Sequence, residues 1–117
     1  MAAGTQTVME LGNALRYTNS STADNDVLIQ TGDVSRYDSY ELMSTAGTVD
    51  VFVSLDGTNY ATAALSLVDK GATTSDPVLV TAAARVYGFR GKFLKVRVLQ
   101  NGATNPTAAS LLCYNLS

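Results

Sequence analysis

The stretch Thr48-Val-Asp-Val-Phe-Val-Ser-Leu-Asp-Gly-Thr-Asn-Tyr60 decides the fold class. Its odd positions from Val49 to Leu55 are apolar and alternate with Thr, Asp, Phe and Ser, which is the two-residue period of a half-buried strand. Asp56-Gly57 follows at once and is a strong hairpin signal, because glycine accepts a positive φ and aspartate bonds nearby backbone. Tyr60 opens a predicted return strand that runs to Val68. The stretch therefore predicts an antiparallel β-hairpin.

Outward from this hairpin, short apolar segments alternate with turn residues, and no segment has a convincing helical period. Gly88-Phe-Arg-Gly91 is predicted as a turn, and residues 81–87 as one helical turn or the start of a strand. The pattern predicts an all-β chain with a single antiparallel β-sandwich of about eight strands, jelly-roll-like, over residues 26–117. Jelly-roll and immunoglobulin-like topologies share this pattern, so the strand order stays open. The remaining predicted strands are 27–29, 36–43, 78–80, 92–99 and 109–116.

Residues 1–25 have a different composition from the rest of the chain. They are mostly small and polar, and their large apolar residues stand apart from one another. Such a segment has little to bury within its own domain. It is predicted to be an extended N-terminal arm with one strand, which is either loose or lies on a neighbouring molecule. The large apolar residues of the arm are Val8, Met9, Leu11, Leu15 and Tyr17.

Composition argues against most enzymatic and metal-binding roles. The 117 residues include no His, no Trp and one Cys, so the commonest general base and metal ligand are missing and a disulfide within the chain is excluded. Cys113 lies in an apolar run and is predicted to be a buried thiol. No catalytic residue, cofactor site or metal site is predicted, and the chain is expected not to be an enzyme.

Charge and hydropathy limit which classes of partner are possible. The net charge is −2, which does not favour nucleic acid, although Arg90, Lys92, Lys95 and Arg97 lie close together in the sequence. No stretch approaches the roughly 20 apolar residues of a membrane helix. The first residues lack the basic and apolar regions of a signal peptide. We therefore expect synthesis in a cytoplasm and no membrane partner.

Two segments carry a resemblance to a known family. Residues 48–60 resemble the V-x-V-S-x-D-G-x-x-aromatic hairpin of many small virion proteins, and Gly91–Gly102 resembles the late strand that follows it there. With its polar arm and its Ala- and Thr-rich composition, the chain resembles the capsid decoration (cement) proteins of tailed bacteriophages. The resemblance offers no catalytic residues.

The resemblance implies a structural role on the outer capsid surface of a virion, after synthesis in the host cytoplasm. The implied partners are the major capsid protein, whose neighbouring subunits the protein would bridge against internal DNA pressure, and further copies of this chain in a homo-dimer or homo-trimer. The predicted capsid contact combines the arm with one charged edge. Its residues are Val8, Met9, Leu11, Leu15, Tyr17, Arg85, Arg90 and Lys92.

Two alternatives stay open at this point. One is another virion part, such as a head fibre or a tail connector. The other is a carbohydrate-binding or receptor-binding β-sandwich, which would use tyrosines such as Tyr37 and Tyr60 as its platform.

Overall fold

The computed structural model describes residues 6–21, 27–45, 47–82, 84–101 and 107–116, and these residues form ten strands and no helix. The all-β class is therefore confirmed for the described part of the chain. The strands are β1 (Thr7–Leu11), β2 (Ala14–Ser21), β3 (Val27–Gln30), β4 (Ser39–Ser44), β5 (Thr48–Ser54), β6 (Leu67–Asp69), β7 (Pro77–Val78), β8 (Val86–Arg90), β9 (Lys95–Asn101) and β10 (Thr107–Tyr114).

The strands form two sheets whose pairings are all antiparallel. The larger sheet has seven strands in the order β1-β2-β10-β4-β8-β6-β7, and the smaller sheet has three in the order β3-β9-β5. From β2 to β5 the chain alternates between the larger and the smaller sheet, and it alternates again from β8 to β10. Sequence neighbours are therefore seldom sheet neighbours, which is why hairpin signals alone did not fix the strand order.

Both sheets contribute to one hydrophobic core. Val49 and Val51 of β5 are fully buried, as the alternation predicts, and Val96 and Val98 of β9 are buried beside them. The alternation fails after Val53. Ser54 is buried there because its hydroxyl bonds the following turn, and Leu55 is 76% exposed.

The turn after β5 has the predicted Asp-Gly chemistry, but the return strand is wrong. Gly57 has a φ of +83°, as such a turn requires. Beyond the turn, only isolated hydrogen bonds join the chain to β5. The amide of Ala61 donates to the carbonyl of Val53 (3.0 Å), and the amide of Leu65 donates to the carbonyl of Val51 (2.7 Å). The next regular strand begins at Leu67 and belongs to the larger sheet.

The turn predicted at residues 88–91 is also wrong, because residues 86–90 form strand β8. Its alternate side chains Tyr87 and Phe89 enter the core, and this burial overrides the glycine signal. Gly88 points away from the core, and the side chain of Lys70 lies across it in the space that a Cβ would occupy. The glycine therefore allows a lysine to pack flat on the strand.

Part of the predicted arm belongs to the larger sheet. Residues 7–21 form the hairpin β1–β2, and β2 pairs with β10 from Ser21–Thr107 to Leu15–Cys113. This part of the chain is predicted to contain one strand, and it contains two. The polar composition of residues 18–21 concealed β2, because pairing on both sides outweighs weak local propensity. The predicted boundary between residues 25 and 26 lies outside the described residues.

Candidate interaction surface

The β1–β2 hairpin places β1 at an edge of the larger sheet. Two residues, Gly12 and Asn13, connect the strands, and Gly12 has the positive φ (+64°) that a tight turn of this kind needs. All five residues of β1 are exposed, and its large apolar side chains Val8, Met9 and Leu11 are 49%, 43% and 42% exposed. β1 is therefore an apolar strand with little protein around it.

Strand register assigns these side chains to faces. Directly paired residues project to the same side of a sheet. Val8 pairs with Tyr17, whose ring enters the core, so Val8 projects to the core side at the margin of the sheet. Met9 pairs with Arg16 on the opposite side, and Leu11 shares that side. We call the side of the seven-stranded sheet that points away from the core the outer face.

The outer face is rich in large apolar side chains. Antiparallel sheets with one face on the core usually alternate apolar residues inward with polar residues outward. Here, by register, the charged strand residues of the outer face in the described chain are Arg16, Glu41 and Arg90. Such a surface is typical of a site for another molecule. Its large apolar members are Met9, Leu11, Met43, Val68, Val86, Leu112 and Tyr114.

Arg16 lies within this apolar surface and is incompletely satisfied. Its Nη2 donates to Sδ of Met9 at 3.3 Å, and sulfur is a weak acceptor. Its Nε is buried and has no acceptor among the described residues. A buried donor without a partner costs free energy.

A groove of about 370 Å³ opens beside Arg90 at one end of the outer face. Lys70 and Gly88 line it on one side, and Tyr114 and Leu116 on the other. Burial raises the pKa of the Tyr114 hydroxyl, and the neighbouring Glu41 raises it further. Tyr114 is therefore a neutral hydrogen-bonding group in a groove that also contains two cations.

The predicted arm residues divide between surface and core. Val8, Met9 and Leu11 are available for contact. Leu15 is half-buried against the core, and Tyr17 is 5% exposed. Leu15 and Tyr17 thus anchor the hairpin to its own domain, because their side of β2 faces the core.

The predicted basic residues do not lie on one edge. Arg85 precedes β8 and forms an ion pair with Asp69, with Nε 2.6 Å from Oδ2. Arg90 ends the same strand, so the two arginines lie at opposite ends of it. Lys92 follows Arg90 and is exposed. Arg90 and Lys92 therefore share one end of the sheet, and Arg85 is engaged at the other.

The tyrosines considered for glycan binding do not form an open platform. Tyr37 is buried, and its hydroxyl accepts a bond from Arg36 (2.6 Å). The Arg97 guanidinium lies 3.9 Å from the ring centroid of Tyr60 and so covers one face of that ring. The Tyr60 hydroxyl also bonds Gln30. Both rings are thus engaged within the molecule.

The described residues offer little for metal or thiol chemistry. No group of three or more His, Cys, Asp or Glu side chains that could hold a metal occurs among them. Cys113 is fully buried as predicted, and burial raises the pKa of its thiol to about 12. Within the described ranges, no helix is long and apolar enough to cross a membrane.

Sequence reasoning missed most of the outer face. The signal was present in the run Ala109–Tyr114, where apolar residues occupy both parities. Ala109, Leu111 and Cys113 fill the core, which leaves Leu112 and Tyr114 on the outer face. A strand that is apolar on both sides indicates a second buried or binding face.

Comparison with known proteins identifies a similar fold. No protein-family model and no curated protein sequence matches the chain. Among solved structures, the SPBc2 prophage-derived protein YomS superposes with a TM-score of 0.70 at 11% identity, over 92% of this chain and 97% of the other. A provisionally named mannose-6-phosphate isomerase from Ralstonia eutropha gives a TM-score of 0.46 at 11% identity, over 95% and 85% of the two chains. The chain thus shares the fold of YomS over nearly the whole length of both proteins.

Proposed function

We propose that this protein is a structural component of a phage virion, namely a capsid decoration protein that binds the outer surface of the head. It bridges neighbouring major capsid protein subunits and stabilises the shell against internal DNA pressure. The observation that carries this proposal is the apolar outer face of the seven-stranded sheet. A small domain that leaves such a face uncovered is built to bind a large partner surface.

Two further observations support the proposal. The full-length likeness to a prophage-derived protein favours a phage origin. The alternation of strands between two sheets that share one core favours a jelly-roll sandwich, a fold that recurs in viral shells.

We assign the capsid contact to the outer face. Met9, Leu11 and Val86 provide its exposed apolar area, and a capsid carboxylate would pair with the Arg16 guanidinium, whose Nη2 bonds the weak acceptor Sδ of Met9. Arg90 and Lys92 add positive charge at one end. Apolar area with a charged margin is the usual composition of a protein interface.

Co-sedimentation with capsids tests this assignment. The purified chain is mixed with undecorated capsids of the phage whose genome encodes it, and the amount in the pellet is measured against its concentration. We expect saturation at a fixed ratio to the capsid subunit. Leu11→Asp and Val86→Asp, at distant points of the outer face, should each weaken binding at least tenfold, since each places a charge on buried apolar area.

Leu55→Asp is the matched control. It makes the same chemical change at an exposed leucine outside the outer face, and it should bind as the unaltered chain does. Absence of binding, or a few copies per particle, would contradict decoration and favour a fibre or tail connector. Equal weakening by all three variants would contradict the assignment to the outer face.

A further inference from the structure

Three of the four sheet edges in the described structure are protected against pairing with another strand. β7 is two residues long and contains Pro77, which has no amide hydrogen. The free edge of β5 is partly occupied by the bonds from Ala61 and Leu65. These are devices by which proteins prevent association of sheet edges.

The edge of β3 is closed by side-chain amides. Gln6 bonds the backbone of Gln30 twice, as donor to its carbonyl and as acceptor from its amide, both at 2.9 Å. Nδ2 of Asn19 donates to the carbonyl of Leu28 at 2.8 Å. Polar side chains thus occupy backbone groups that another strand would otherwise use.

β1 has neither a proline nor bonds of this kind, and its one protective feature is the charged residue Glu10. It has five residues without proline, and nothing within the described ranges covers its free side. In a hairpin closed by two residues, the flanking pair Leu11–Ala14 is hydrogen-bonded, and so is Met9–Arg16. The amides and carbonyls of Val8 and Glu10 therefore point to the open edge. An open, apolar edge is a template for one more strand.

We propose that a second copy of this chain occupies the edge, with the two β1 strands paired antiparallel about a two-fold axis at Met9. This register uses all five residues of β1. Val8 pairs with Glu10 of the other copy, and Glu10 with its Val8, so that the free amides and carbonyls satisfy one another. The two larger sheets then continue into one sheet of fourteen strands.

Charge favours this register over its neighbours. Glu10 is the one charged residue of β1, and centring the axis on Glu10 would place two carboxylates directly opposite each other. Centring it on Val8 would leave Leu11 outside the pairing. With the axis at Met9, each Glu10 faces a valine, and Met9 faces Met9 as a pair without backbone bonds.

The small area of this interface makes the pairing weak. Five residues on each side bury less than the roughly 800 Å² per partner of a standard interface. It strengthens where many copies are held close together, as the proposed decoration role requires. The pairing itself needs no capsid, so its test is independent of that role.

Disulfide trapping tests the register. A pair without backbone bonds in an antiparallel sheet has Cα atoms about 4.5 Å apart, within the range of a disulfide. Met9→Cys should therefore form a covalent dimer when oxidised glutathione accepts the electrons of the two thiols. Leu11→Cys is the matched control, because Leu11 faces Thr7 of the other copy. Cys113 is buried and does not compete.

Introducing a charge of either sign at Val8 supplies a second test. Val8→Glu places one glutamate opposite each Glu10, whereas Val8→Lys places one lysine there, and both variants remove the same valine. We expect the dimer constant from sedimentation equilibrium to be at least tenfold weaker for Val8→Glu than for Val8→Lys.

The proposal requires that Met9→Cys form the covalent dimer at least tenfold faster than Leu11→Cys. It also requires that Val8→Glu dimerise more weakly than Val8→Lys. Equal cross-linking of the two cysteine variants would overturn it. So would equal dimer constants for the two charge variants, because no other register brings Val8 and Glu10 together twice.

Discussion

At the residue scale, Asp56 shows how one carboxylate defines a turn. Its Oδ1 accepts bonds from the amides of Thr58 (2.8 Å) and Asn59 (2.7 Å), and its Oδ2 accepts one from the Asn59 side chain (2.8 Å). Ser54 joins the same network through its hydroxyl, which also accepts a bond from the amide of Gly57. The bonds from Asn59 are the main reason that the pKa of Asp56 is lowered from its ordinary value.

This lowered pKa predicts an acid-sensitive turn. A carboxylate whose pKa is lower in the folded than in the unfolded state stabilises the fold above the unfolded pKa, about 3.9, and loses that effect as pH falls through the folded pKa. Asp56→Ala should therefore lower the melting temperature at pH 7, and the difference from the unaltered chain should shrink below about pH 4. Thermal unfolding followed by circular dichroism over pH 2–7 measures this.

Asp76→Ala is the control for Asp56→Ala, since Asp76 is an exposed loop residue for which the described structure contains no side-chain hydrogen bond. It should change the melting temperature little at either pH. A difference between Asp56→Ala and the unaltered chain that stayed constant down to pH 2 would contradict an effect of the ionised carboxylate.

At the scale of the elements, β2 is the strand that the sequence conceals. Its inward side chains, Leu15 and Tyr17, lie among eight residues that otherwise look like a polar loop. The strand exists because β1 and β10 pair with it on both sides and because the core accepts the Tyr17 ring. If these residues formed an exposed arm, the Tyr17 ring would not be buried and could not stabilise the strand.

Comparison of Tyr17→Ala with Val8→Ala shows how much the inner strand β2 and the edge strand β1 each contribute to the free energy of unfolding. Loss of a buried aromatic ring costs about 3–5 kcal/mol, so Tyr17→Ala should lower the free energy of unfolding by at least about 3 kcal/mol. Val8→Ala, at its exposed partner in β1, should change that free energy by less than about 0.5 kcal/mol. Urea denaturation measures both. A small effect of Tyr17→Ala would mean that β2 contributes little to the stability of the domain.

The sequence alone predicted those elements whose pattern of apolar and turn residues is visible within the element itself. β5 and β9 alternate clearly, and Asp56-Gly57 specifies its turn, so these features needed no tertiary information. The glycines at 88 and 91 misled because burial of Tyr87 and Phe89 decides that segment, and burial depends on partners distant in sequence. The outer face was missed for the same reason: Met9, Met43 and Val86 come to lie on one face of the sheet only through strand order.

At the scale of the whole molecule, the apolar outer face and the open edge of β1 share residues. Met9 and Leu11 belong to both, since they project onto the outer face from the strand that carries the edge. Pairing of two copies through β1 would join their outer faces into one continuous surface. In the proposed function, a capsid would then be bound by two linked faces rather than by one.

Linked faces predict different binding defects for the two surfaces on a capsid. Val8→Glu leaves the outer face intact, so it should saturate capsids at the same copy number as the unaltered chain. Its apparent affinity should fall, because each copy then binds without the avidity of its partner. Val86→Asp, which lies on the outer face away from the edge, should instead abolish binding at the same concentrations. Co-sedimentation isotherms over a wide concentration range separate affinity from copy number.

An unchanged affinity for Val8→Glu would show that the edge is not paired on the shell, and a reduced copy number would show that the edge itself contacts the capsid.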